Sequence, residues 1–337
     1  MVLRTWVVEV RAHAPRTKYH VPVSAETYFS TLHSVMTAPR PAWATPAMLL
    51  VVAIWACNFI AMRFALRELP LLAVGALRYS AAALLLLMVL WAVEGSLGAP
   101  RAVWGRLVLI GLIGNTIYQT LFMVALERTT VGNTAILLAT SPLQTAVLGA
   151  LFGVERPNGR LITALLLALA GAALVVSDRG LSVDAATLWG DLAALGAGTC
   201  WALSTLGVRM LPTTLSPLRV TALTALTGVP GLVFMAWPDL MAQSWRVVTP
   251  LAWSALAYSV VLSLCLAYLL WNASIAAVGP NRTSIFNCLT PLVAMLIAWP
   301  SLGEVPGPAQ WAGGTLIITG VILGRWSPVQ LLSRQAA

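Results

Sequence analysis

Residues 134–155 read TAILLATSPLQTAVLGALFGVE, and residues 283–304 read TSIFNCLTPLVAMLIAWPSLGE. Laid on one another without a gap, at a shift of 149 positions, Thr134 meets Thr283, Ile136 meets Ile285, Pro142-Leu143 meets Pro291-Leu292 and Glu155 meets Glu304. Further on, Gly171 meets Gly320 at the same shift. Nearer the start, a shift of 146 sets Trp55-Ala56 on Trp201-Ala202 and Arg63 on Arg209. Self-similarity held at one offset marks a duplicated unit. The two copies are expected over 43–180 and 185–326, flanked by an arm over 1–42 and a tail over 327–337.

Composition says what solvent these copies live in. The chain is 59% hydrophobic and only 9% charged, with a mean hydropathy of +0.86. That is too little polar surface to coat a water-soluble particle of 337 residues. In lipid every backbone polar group must find its partner internally, and long Leu/Ala/Val/Ile runs with scattered Gly and Pro then imply helices rather than a barrel. Apolar segments fall at 46–66, 70–93, 104–126, 130–152, 161–177, 187–208, 217–237, 251–271, 284–299 and 309–323. Each is of spanning length, and the short connectors carry the charge. The expected fold is an all-α polytopic membrane protein of about ten transmembrane helices, arranged as two five-helix repeats around a central cavity.

Five is odd, so the second copy enters the bilayer from the opposite side and the repeats are inverted. Such pairs let a carrier alternate between inward-open and outward-open states around a midplane site. The Arg and Lys residues fall fourteen to one set of ends and five to the other; without the N-terminal arm the ratio is still nine to five. Positive ends stay in the cytoplasm, so both termini are expected there, in an inner (plasma) membrane. The net charge of +9 is explained by this bias and needs no nucleic acid. The arm is polar and basic and is read as disordered, with Met36 an alternative start. His13, His20 and His33 all lie in it and read as solvated, not as metal ligands. Cys57, Cys200, Cys265 and Cys288 lie inside apolar runs and read as buried packing, not disulfides.

Several stretches resemble the drug/metabolite transporter superfamily, its EamA-like branch in particular. They are Ile54-Trp55-Ala56-Cys57-Asn58-Phe59-Ile60-Ala61-Met62-Arg63, Leu77-Arg78-Tyr79, Ser141-Pro142-Leu143 and Val154-Glu155-Arg156. In the second half Gly190-Asp191-Leu192, Cys200-Trp201-Ala202, Thr290-Pro291-Leu292 and Gly303-Glu304 continue the pattern. The resemblance spans about 45–325. It implies a ten-helix fold with a central cavity and export of amino acids, related metabolites or drugs by secondary transport.

Polar groups inside a span are costly and face the interior or a hydrated cavity. Arg78 is the clearest: either it attracts a substrate carboxylate or it bonds neighbouring carbonyls, and the family's frequent Arg there favours the second. Trp55 and Asn58 share a helical face, as do Trp201 and Ser204. Asn115, Tyr118, Gln119 and Phe122 form a stripe on the third span, and Tyr268, Trp271 and Asn272 one on the eighth. With Thr134 and Asn287 these are the substrate-binding candidates, and Pro142 and Pro291 are the helix-kink candidates. Glu155, Glu304 and Asp191 lie near span ends, where a carboxylate caps a helix or couples protons. No acid lies at mid-membrane, so transport is either proton antiport through these end groups or facilitated diffusion.

The expected partners are a small-molecule substrate, protons if transport is coupled, and the bilayer, with the protein a monomer or homodimer. No cofactor or catalytic residue is expected: there is no GxxxxGK[ST] loop for ATP and no histidine or acid cluster in the membrane for an enzyme. Drug efflux is the alternative activity. A non-transporting scaffold is the alternative class, for which Ala164, Ala168 and Ala172 on the fifth span offer a small-residue association face.

Overall fold

The computed structural model describes residues 41–129, 131–155, 157–177, 187–302 and 305–325. The N-terminal arm with its histidines and Met36, the tail, and Glu304 lie outside them. The described residues form ten helical stretches and no strand: α1 (Ala44–Ala65), α2 (Leu71–Glu94), α3 (Arg101–Arg128), α4 (131–151), α5 (Gly159–Ser177), α6 (Leu188–Arg209), α7 (Pro217–Ala242), α8 (Pro250–Val278), α9 (280–302) and α10 (Pro308–Arg325). Seven of them, α1 to α5, α7 and α8, are long and apolar enough to cross a hydrocarbon core.

Local sequence sets the ends. Ser216 and Thr249 each stand before a proline, and their hydroxyls accept from Arg219 N and Ala252 N. This is N-capping with the proline where its missing N–H costs nothing. α2 ends on Gly95 at φ 67°, a left-handed C-cap that glycine adopts without a Cβ penalty.

The surface is apolar. Phe234 is 82% exposed and Leu84, Met88 and Leu151 lie open beside their helices, which suits lipid rather than water. Exposed Trp189, Trp237, Trp253, Trp299 and Trp311 gather where α6, α8 and α10 begin and α7 and α9 end. Trp43 and Trp91 lie at the opposite set of ends. Exposed tryptophans at both sets of helix ends are what the interfaces of a bilayer favour.

Packing obeys the exchange of halves. α5 lies along α10 and α2 along α7; α1 against α8 and α9 is matched by α6 against α3 and α4. Among the described residues, the hydrogen bonds between helix ends join like-sided connectors. At one end Thr249 N and Oγ1 donate to Glu68 (2.7 Å each), Thr129 Oγ1 to Asp191, and Gln310 Nε2 to Val175 O. At the other, Arg219 pairs with Glu94 at 2.8 Å, Asn281 N donates to Glu155, and Arg209 donates to Ala276 O. A chain that reversed at every helix would pair its ends in this way. The two bonds from Thr249 hold the Glu68 carboxyl below its ordinary range.

The α5–α10 seam accounts for the alanine stripe. Ala164, Ala168 and Ala172 are fully buried against this chain's own α10. A Cβ on Gly171 would stand 2.5 Å from Gly313 O, and one on Gly320 would stand 2.6 Å from Ala164 O. The stripe is therefore spent within the chain, and the association face that it offered to a partner does not exist. Backbones close this far only where side chains are small, the usual way helices adhere in lipid.

Candidate functional site

Repeat-equivalent residues meet at the centre. Trp55 of α1 and Trp201 of α6 stand edge-on at 5.5 Å between ring centroids. Trp271 lies 5.2 Å from one and 5.4 Å from the other, and Tyr268 lies 6.0 and 5.6 Å from them. Tyr118 reaches Trp201 at 5.4 Å and stacks on Phe122 at 6.2 Å. Edge-on and offset contacts at these distances are favourable beyond their buried area. Trp55 Nε1 donates to Ser263 O at 3.3 Å, and the Tyr79 and Tyr268 hydroxyls bond at 3.0 Å.

The helices bend to make this room. α3 is π-helical over Leu112–Ile117 and α8 over Ser259–Ala267; at a shift of 149 residues the first falls inside the second. π turns widen a helix and recur at functional sites. α4 breaks at Thr140 and restarts at Ser141, while α9 passes through a 3-10 turn, Ile285–Leu289, and restarts at Thr290. Pro142 and Pro291 follow directly, each lacking the N–H that would continue the ladder to the residue four back.

Beside the rings lies a cavity with about 20 Å³ of space for water centres, lined by Ile110, Gly114, Asn115, Trp201, Ser204, Thr205, Val208, Thr224, Tyr268, Trp271 and Asn272. That is room for one or two waters. A smaller hollow adjoins it, sharing Asn115, Thr224 and Tyr268 and adding Tyr79 and Thr221. Asn115 Nδ2 donates to Thr224 O at 2.8 Å and Asn272 Nδ2 to Thr221 Oγ1 at 2.9 Å. The site is thus an aromatic chamber with a polar wall made by the amides of Asn115 on α3 and Asn272 on α8 and by Thr221 and Thr224 on α7.

The structure gathers most sequence candidates and separates others. The α3 stripe divides: Tyr118 and Phe122 join the rings and Asn115 turns to α7, whereas Gln119 lies against α2, its side chain 3.6 Å from where a Gly75 Cβ would stand. The stripe assumed 3.6 residues per turn; the π turn and α3's packing against α2, α6 and α7 give its positions different neighbours. Arg78 is buried on α2, with the face of Tyr79 5.9 Å away. Asn58 keeps a buried Oδ1 without a donor. Thr134 is buried and Asn287 half-buried, but neither lines the cavity. Tyr79, Thr221, Thr224 and Ser263 were not singled out from the sequence. A Thr221-Thr224-Thr227 spacing along α7 was the one available signal.

Glu155 and Asp191 sit at the ends of the bundle. Glu155, 3% exposed, accepts from Asn281 N at 3.1 Å. It therefore caps α9 of the other repeat and not the helix that follows it. Burial raises its carboxyl above the ordinary 4.5, against the hydrogen bond from Asn281 and the charges of Arg209 and Arg282. A carboxyl raised on folding binds more protons folded than unfolded, so its contribution to stability is present at low pH and lost as pH rises from 4.5 through the raised value. Melting of the purified protein across that window is expected to show this loss. Glu155→Gln, which keeps the acceptor, removes it; an unchanged pH profile in that variant would assign the effect elsewhere. Asp191, in the first turn of α6, accepts from Thr129 and Thr187 and ties α6 to the end of α3. An acid suits that helix end.

The EamA-like transporter family matches residues 42–177 and again 188–325. An uncharacterized transporter of Archaeoglobus fulgidus is 29% identical over 81% of this chain and 94% of its own length. A probable terminal-alkyne amino-acid exporter of Streptantibioticus cattleyicolor is 26% identical over 86% and 94%, and a probable amino-acid metabolite efflux pump of Salmonella typhimurium 24% over 82% and 92%. One protein of known crystal structure superposes with a TM-score of 0.71 at 17% identity, covering 84% of this chain and 96% of the other. With the family matched once per repeat and the repeats packed about an aromatic chamber, this multi-pass membrane protein belongs to the EamA-like transporter family.

Proposed function

We propose that the protein is a secondary carrier that exports small amphipathic metabolites, amino acids and related compounds among them, by exchanging the conformations of its two repeats. The observation that carries this reading is the position of Trp55 and Trp201. They are equivalent residues of the two halves, and they touch at the centre of a chamber that neither half could form alone. When one half adopts the other's arrangement the chamber opens to the other side, the logic of inverted repeats. Aromatic walls with convergent amides suit a substrate with an apolar body and polar ends. The names of the exporters from Streptantibioticus and Salmonella favour amino acids. The arginine excess at the ends carrying Arg101, Arg160, Arg209 and Arg219 supports cytoplasmic termini.

The test is counterflow: proteoliposomes loaded with unlabelled amino acids or related metabolites take up the labelled compound, with and without a pH gradient. Exchange of a defined compound that falls at least tenfold in Asn115→Ala is the expected result, and acceleration by the gradient identifies protons as the coupling ion. No exchange across amino acids, amines and aromatic drugs, from protein with full helical content, would sink the carrier reading.

A further inference from the structure

Arg78 lies seven residues into α2, about 10 Å along the helix at 1.5 Å per residue. It is 9% exposed, its Nε has no hydrogen-bond partner, and no described carboxylate stands within ion-pair distance of it. An arginine that reached water at the membrane surface would not be buried in this way. One that served the backbone would spend its N–H groups on carbonyls, and Nε makes no such bond. One turn back on α2, Gly75 opens a space into which Gln119 of α3 reaches. Gln119 is 3% exposed and its Nε2 likewise has no acceptor. The ring of its neighbour Tyr79, whose hydroxyl bonds that of Tyr268 at 3.0 Å, lies 5.9 Å from the guanidinium, which sets Arg78 beside the aromatic chamber.

A fixed positive charge and a neighbouring amide donor, each buried with a nitrogen that finds no acceptor among the described residues, form half of an interaction. Burying a charge without its counter-ion is strongly unfavourable, and intramembrane charges mark substrate or ion pathways. The group that completes them must be an acceptor with negative charge. A planar guanidinium matches a carboxylate in shape, in charge and in hydrogen bonding. We propose that Arg78 and Gln119 form the subsite for the carboxylate of the transported compound, so that the carrier selects monocarboxylates, free or zwitterionic, over their amides and amines. This rests on the carrier reading and deepens it by naming the substrate class.

The experiment measures binding and exchange separately. Purified protein in detergent is titrated with a panel of aromatic and aliphatic amino acids, their amides and the amines lacking the carboxyl group, followed by thermal shift and by the fluorescence of the chamber tryptophans. Acids are expected to bind the native protein tightly. In Arg78→Gln their affinity is expected to fall roughly 10-fold to 100-fold, the range of a lost charge-assisted pair, with less loss in Arg78→Lys and an intermediate loss in Gln119→Leu. Amides and amines should bind all variants alike. The subsite is overturned if no acid of the panel binds the native protein, if acids and amides bind it equally, or if Arg78→Gln weakens both to the same degree. Counterflow keeps the two proposals apart. Exchange that persists while ignoring the carboxyl group leaves the carrier and removes the subsite. Carboxyl-dependent binding without exchange of any compound leaves the subsite and removes the carrier.

Discussion

Gly171→Leu is expected to abolish the folded protein. The Cβ alone would enter 2.5 Å from Gly313 O and 2.8 Å from Ile317 N, both backbone atoms of α10. No rotamer change relieves a clash with backbone, so the helices must separate. Overpacking a tight interior costs about 1–3 kcal/mol and more where the neighbours are rigid. Here separation also uncovers Ala164, Ala168 and Ala172 along the whole seam. Size-exclusion profiles and melting in mild detergent check this, with aggregated or absent protein as the outcome. Gly105→Ala is the matched control. Gly105 lies inside α3 with nothing within 4 Å of its would-be Cβ, so alanine there should be neutral or stabilise by about 1 kcal/mol. Equal tolerance of both changes would mean that α5 and α10 do not pack as described.

Trp201→Ala is expected to stop transport and lower the melting temperature together. Trp201 touches Trp55, Tyr118, Tyr268 and Trp271, and deleting a buried tryptophan leaves a cavity at a cost of about 3–5 kcal/mol. Trp201→Phe separates packing from binding. It restores most of the volume and should fold, while it removes the indole N–H, which here has no acceptor within the protein. Near-native melting with a raised KM for exchange would place Trp201 at the substrate. Native exchange by the phenylalanine variant would reduce the residue to packing.

Both experiments probe features that were unequally visible beforehand. Duplication, membrane residence, helix number and family were legible in the sequence, because each is written in local or periodic properties: hydropathy, arginine placement, and residues such as Pro142 and Pro291 that recur at one shift. Trp55, Trp201, Tyr118, Tyr268 and Trp271, which the structure brings together, were also named from the sequence, because each shares a helical face with a polar or aromatic neighbour.

The sequence did not determine which neighbour each of those residues meets. The α3 stripe divided among α6, α7 and α2 because α3 packs against all three, and no local pattern states which of them each position meets. Glu155 reached across to Asn281 of the opposite repeat, a contact between residues 126 positions apart that no local pattern encodes. The alanines of α5 proved to be an internal seam because their partner glycines lie on α10. A sequence specifies spans one at a time, through the free energy of placing each segment in lipid. The pairing of spans depends on shape and on hydrogen bonds between segments distant along the chain, and those became visible only with the tertiary structure.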